Sequence, residues 1–307
     1  MSLRRLRWAQ AGAVALLALG GWALLAAPSS ASSSLTLPFN GHGRHTLVGP
    51  GVYDVTIQFP HRDRTLILDV PSGSDPRTRA LVLVYHGALE TAAGTIVATD
   101  FEQAAARAGY VVAFLQGYAD TWNEGAGHTP AEQAGIDDVA FTRAAIAQLS
   151  RVVAFDHSRV VASGFSNGAL MVQDLGCRLS AMIVAIVPVE GEIPTSVAST
   201  CHPSRPVTLY EVHATGDPAI PYGGGPFAGV GGGTTVDSAT ATAALWASLD
   251  GCAATPSQTT TPSRALTAYA GCRAGRRVTL ESVAGATHEW APDIGEIVAR
   301  VIATLSG

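Results

Sequence analysis

Charge is scarce in this chain. Only 14% of its 307 residues are Asp, Glu, Lys or Arg, the formal net charge is −5 and the pI is near 6.0. No polybasic run occurs beyond the N-terminus, so the electrostatic footprint of a nucleic-acid-binding protein is missing. Cysteine is sparse too. There are four, Cys177, Cys201, Cys252 and Cys272, and none has the Cys-x-x-Cys spacing of a zinc site. Internal repeats and a second domain are also missing from the pattern. What the chain has in quantity is apolar residues, 47%, enough for one large α/β domain or two small ones.

The N-terminus reads as an address. "MSLRRLRWAQ" supplies positive charge, "AGAVALLALGGWALLAA" is an apolar stretch, and "PSSASSS" offers small residues to a peptidase. The expectation is a secretory signal over residues 1–31, cut after Ala31, with residues 32–307 as one catalytic domain. The competing reading is an uncleaved anchor, since Trp8 to Ala27 is nearly long enough to span a bilayer. Export agrees with an even number of cysteines. Four cysteines allow three pairings; sequential pairing closes two short loops and is preferred.

Beyond that segment, "GVYDVTIQF" and "RTLILDV" predict an antiparallel hairpin. "ALVLVYHG", "YVVAFLQG", "RVVASGF", "AMIVAIVPVEG", "PVTLYEVHATGD" and "RVTLESVAGATH" are short, nearly continuous apolar runs. Helically spaced segments separate them. This alternation predicts a mostly parallel sheet with helices on both faces and a leading antiparallel hairpin. "YGGGPFAGVGGGTT", residues 222–235, reads as a mobile glycine-rich loop near the C-terminal edge of the sheet, either a surface insertion or a lid.

The stretch "VVASGFSNGALM" places a Gly-x-Ser-x-Gly between a predicted strand and a predicted helix. With 33 glycines in the chain an accidental match is easy, so the context carries the reading. A serine on a sharp strand-to-helix turn, at the positive end of a helix, is built as a nucleophile, and Ser166 has that position. It needs a base and an orienting carboxylate. Of nine histidines, His288 follows the last strand and precedes the last helix. His42, His45 and His61 precede the parallel sheet, and His128, His157 and His202 lie in loops. His213 reads as packed within a strand, and His86 as part of a turn. Asp217, in a Gly-Asp-Pro turn after a strand, is the preferred carboxylate over Asp250 and Glu281, with a purely structural turn as the alternative. The chain order Ser166, Asp217, His288 is that of the α/β-hydrolase fold. Oxyanion donors are expected from the backbone N–H groups of Asn167 and Ala88.

Several further pieces match in order: "HG" at 86–87, "TWN" at 121–123, "DDVAFTRAAI", "GFSNGALM", "HATGDPAIPYGGG" and "GATHEW". Over about Arg64 to the C-terminus the chain resembles the secreted esterases grouped as polyhydroxyalkanoate (polyhydroxybutyrate) depolymerases and feruloyl or acetylxylan esterases. The resemblance implies Ser166, Asp217 and His288 as the triad and Cys177–Cys201 and Cys252–Cys272 as bridges. It departs at "HGALETAAG", which lacks a cysteine- or glycine-rich continuation, and at "HEWAPD", where Thr-Trp-Pro-Gly is usual. Trp122 and Trp290 are candidates to line the substrate pocket, with core packing as the alternative.

These readings converge on a secreted, monomeric serine ester hydrolase acting on a small or oligomeric ester, polyester or plant cell-wall ester, through an acyl-enzyme. No metal, cofactor or nucleic acid is implied, and membrane contact is expected only through the N-terminal segment. An acyltransferase, a serine peptidase and a catalytically silent binding protein remain open on the same scaffold.

Overall fold

Apolar runs become the middle of one large sheet in the computed structural model, which describes residues 32–39, 46–73, 75–285 and 287–305. The expected export signal and its cleavage point lie outside the described residues. In chain order the first elements are β1 (Ser33–Pro38), β2 (Gly51–Gln58), β3 (Arg64–Val70), β4 (Leu81–Tyr85), α1 (Ala92–Ala98), α2 (Phe101–Ala108) and β5 (Val111–Leu115). Then come α3 (Pro130–Gln133), α4 (Asp138–Val152), β6 (Val160–Phe165), α5 (Asn167–Arg178), β7 (Ala185–Val189), α6 (Thr195–Ala198) and β8 (Thr208–Ala214). The rest are β9 (Gly225–Gly229), β10 (Gly232–Val236), α7 (Ala239–Leu249), β11 (Ser257–Thr260), β12 (Arg264–Tyr269), β13 (Val278–Val283) and α8 (Ile294–Thr304).

Eleven strands form the sheet in the order β1-β2-β3-β5-β4-β6-β7-β8-β13-β12-β11. The six from β5 to β13 in that order pair in parallel. The expected hairpin is β2–β3, and β3 joins β5 antiparallel. At the opposite margin β13, β12 and β11 pair antiparallel, an extension not foreseen in the sequence. Every residue of β4, β5, β6 and β7 is buried, as expected for strands covered on both faces. Alternation sorts β4 between two cores. Leu81, Leu83 and Tyr85 pack with Phe141 and Leu149 of α4, Met171 of α5 and Trp246 of α7. Val82 and Val84 join Phe101 of α2 with Ile297 and Val301 of α8 on the other face.

Two disulfides, Cys177–Cys201 and Cys252–Cys272, follow the sequential pairing. One expectation is corrected. The glycine-rich segment forms an antiparallel hairpin, β9–β10, with Gly232 opposite Gly229 and Val236 opposite Gly225. Its glycines weaken the strand pattern in the sequence, yet Phe227 and Val236 anchor it on Leu170 and Ile220. Among the described residues no helix is long and apolar enough to cross a membrane.

Candidate active site

The turn from β6 into α5 sets the site. Ser166 has φ 53° and ψ −121°, and its N–H donates to the Val189 carbonyl of the neighbouring strand (3.0 Å). The flanking glycines are required by close approach. A Cβ on Gly164 would lie 2.2 Å from the Gly168 carbonyl oxygen, and one on Gly168 would lie 2.3 Å from that of Tyr85. The serine hydroxyl is thus lifted above the C-terminal ends of the parallel strands, with the start of α5 behind it.

Asp217 and His288 arrive from the loops after β8 and β13, adjacent parallel strands. The N–H groups of Ala219 and Ile220 donate to Asp217 Oδ1 at 2.7 and 3.0 Å, closing a tight side-chain turn. His288 Nδ1 donates to Asp217 Oδ2 at 2.7 Å, and His288 Nε2 lies 2.9 Å from Ser166 Oγ. Phe165 packs its ring against His288, with centroids 4.8 Å apart. Burial works against the charge of Asp217, but hydrogen bonds from His213, His288 and the Ala219 N–H hold its carboxyl well below the usual range.

Ala88 and Asn167 line the same cleft, of about 220 Å³, as Ser166 and His288. Asn167 is the first residue of α5, where backbone N–H groups have no intrahelical acceptor. Its side chain is fixed by the Trp122 N–H, which donates to Oδ1 at 2.8 Å. The loop carrying Ala88 is braced at both ends. His86 Nε2 accepts from the Gly117 N–H (2.9 Å), and the Gly87 N–H donates to Glu90 (3.0 Å). Burial lowers the His86 pKa, which keeps its imidazole neutral in that structural place.

Neither candidate tryptophan is among the residues that line the cleft, and both are packed in the core, the alternative left open by the sequence. Trp122 is wholly buried, donates from Nε1 to the His86 carbonyl (2.9 Å) and packs edge-on against Tyr85. Trp290 packs against Phe165 and Phe101 in the core beneath His288. The other carboxylates set aside in the sequence have structural partners: Asp250 accepts from the Val207 N–H, and Glu281 pairs with Arg264 and Tyr210.

The cleft contains residues that sequence reasoning passed over. Leu170, Ile220, Phe227 and Val230 form an apolar side, while Glu124, His128 and Thr129 contribute polar groups. Burial, helped by nearby Glu132, pushes the Glu124 carboxyl up to about 8. His128 has no strand end to fix it; instead the tip of the β9–β10 hairpin packs on it, a Cβ on Gly231 lying only 2.1 Å from its carbonyl oxygen. No signal local to "NEGAGHTP" foretells this, because the contact comes from about a hundred residues further along the chain.

Comparison with known proteins places this geometry in context. No protein-family model matches the chain. Feruloyl esterase B of Piromyces equi is 30% identical over 233 residues, 73% of this chain and 42% of that protein. The putative esterase NocK of Nocardia uniformis subsp. tsuyamanensis is 29% identical over 149 residues, 48% of this chain and 43% of that protein. The chain thus spans less than half the length of these curated relatives. Among solved structures, the acetyl xylan esterase from Aspergillus awamori superposes with a TM-score of 0.59 at 13% identity, over 83% of this chain and 99% of that one. Est1E from Butyrivibrio proteoclasticus gives 0.52 at 13% identity, over 82% and 98%. These two likenesses show the fold, that of the α/β-hydrolases, and in sequence the chain is similar to curated esterases over less than half of their length.

Proposed function

We propose that this protein is a carboxylic-ester hydrolase in which Ser166 is the nucleophile, His288 the general base and then general acid, and Asp217 the residue that orients the imidazole. Ser166 Oγ attacks the ester carbonyl as His288 Nε2 takes its proton. The tetrahedral oxyanion is held by the N–H groups of Asn167 and Ala88. His288 then returns the proton to the leaving alcohol, and an acyl-enzyme remains. Water enters by the reverse arrangement and releases the acid. The observation that carries this reading is the continuous chain from Ser166 Oγ through His288 to Asp217, at 2.9 and 2.7 Å, in one cleft.

The substrate class proposed is a soluble ester of the plant cell wall, hydroxycinnamoyl or acetyl, supported by the likeness to a feruloyl esterase. The compartment proposed is extracellular, with residues 32–307 as one catalytic unit, supported by two disulfides. Purified, folded Ser166→Ala is the test. Its hydrolysis of nitrophenyl acetate and methyl ferulate should fall by roughly 10⁴- to 10⁶-fold. Parental rates in that variant would dismiss the mechanism. Hydrolysis of nitrophenyl acetate without methyl ferulate or acetylated xylan would dismiss the substrate class alone.

A further inference from the structure

We propose that Glu192, Glu211 and His213 form a buried binding site for one divalent cation of the zinc class, behind the serine centre and joined to it only through the contact of His213 with Asp217. Glu211 and His213 are two residues apart on β8 and so share one face of the sheet. Glu192 reaches them from the segment after β7. All three side chains are fully buried.

The unpaired atoms single out this place. No well-aligned hydrogen bond reaches either carboxylate oxygen of Glu192 or of Glu211, or Nδ1 of His213. Each of the three residues offers a ligand atom, and these lie within 4.8 Å of one another. Nδ1 of His213 is 3.0 Å from Glu192 Oε1. Two atoms bound to one ion at about 2.1 Å each sit roughly 3.0 to 3.4 Å apart, from octahedral to tetrahedral angles, so the spacing suits a shared ion. Among the described residues no arginine pairs with Glu192 or Glu211, and the chain has no lysine to bring in.

The other side of the His213 ring supports the assignment. Nε2 faces the Ile220 carbonyl at 3.1 Å and Asp217 Oδ2 at 3.3 Å, both acceptors, so it carries the proton. A cation held between the two glutamates would be met by Nδ1, the ring nitrogen on their side. A metal-bound histidine normally donates its second N–H to a carbonyl or carboxylate in this way. The group on that side is not short of partners: Glu190 accepts from the Ala214 N–H, and Asp217 from those of Ala219 and Ile220. Two carboxylates balance a 2+ charge, and a mixed oxygen and imidazole donor set suits Zn²⁺ or Mn²⁺. On binding, the ion displaces protons held by the bare side chains, which leave to solvent.

Because the site is closed to solvent, the ion is loaded during folding. Full-length protein is unfolded in guanidinium with a chelator, without reductant so that both disulfides persist. It is then refolded with Zn²⁺, Mn²⁺ or no metal, dialysed and analysed for metal content. One equivalent of Zn²⁺ or Mn²⁺ per chain is expected, falling at least tenfold in Glu192→Gln and Glu211→Gln. Retention below a tenth of an equivalent for both ions, or equal retention in the variants, overturns the site. Should the variants fail to fold, parental protein refolded with Co²⁺ decides the matter, since protein-bound Co²⁺ with imidazole and carboxylate ligands has its own visible absorption. A spectrum identical to free Co²⁺ overturns the proposal. None of these readings depends on esterase activity, so the cation site and the serine mechanism stand or fall apart.

Discussion

Ser166 combines a reactive side chain with a backbone conformation that glycine adopts far more readily. The conformation is imposed from outside the residue, by the Val189 carbonyl and by the packing of α5 against β4. Comparing two inactive variants isolates its cost. Ser166→Gly should be more stable than Ser166→Ala by about 1 kcal/mol in urea unfolding, the relief of strain exceeding the added freedom of the unfolded chain. The side chains should act as one unit: His288→Ala is expected to lose nearly as much activity as Ser166→Ala, and the double variant little more. Glu124 gives a prediction in pH. Its carboxyl rises from an ordinary 4.5 to about 8 in the folded protein, so the unfolded chain ionises first as pH increases. Its contribution to stability is therefore whole below about pH 4.5 and is lost as pH rises towards 8. Glu124→Gln removes that dependence, and its melting temperature should gain on the parent steadily between pH 5 and 8; a constant difference would contradict the assignment. Ser166, Asp217 and His288 could be picked out as candidates from the sequence because each follows an apolar run at a turn. Glu124, His128 and the glutamates around His213 could not, since local pattern says nothing about which loops and strands meet.

The elements divide in the same way. Strands β4 to β7 are nearly continuous apolar runs, β8 and β13 are apolar runs broken by a few polar residues, and long helices such as α4 carry a broad buried face. The short polar β11 and the half-buried β12 lack either signal, and β9–β10 is written mostly in glycine, so packing rather than propensity decides them. The β9–β10 hairpin also lines the cleft beside Ser166, which makes it the element to test for specificity. Gly231 sits at φ +90°, and any side chain there meets the His128 carbonyl. Gly231→Ala should lift the hairpin from that loop and raise KM for bulky hydroxycinnamoyl esters roughly tenfold, the loss of about 1.4 kcal/mol of contact. Nitrophenyl acetate, too small to reach the hairpin, should change less than about twofold. Equal losses on both substrates would mean that the hairpin supports the triad rather than the acyl group.

For the whole molecule, one disulfide ties the end of α5 to the loop after α6, and the other ties the loop after α7 to the loop after β12. They span sequence separations of 24 and 20 residues, and chain entropy assigns each about 3 kcal/mol. Reduction should therefore lower the calorimetric melting temperature by about 10 °C or more; an unchanged midpoint would show that the core alone sets stability. The far margin of the sheet has a different consequence. Strand β11 is only four residues long, polar and exposed throughout, with Pro256 and Pro262 close on either side. A margin so short, wet and bracketed by proline is a poor template for a strand from another molecule. Crowded in solution, copies of this protein are thus kept from stacking sheet to sheet along that edge.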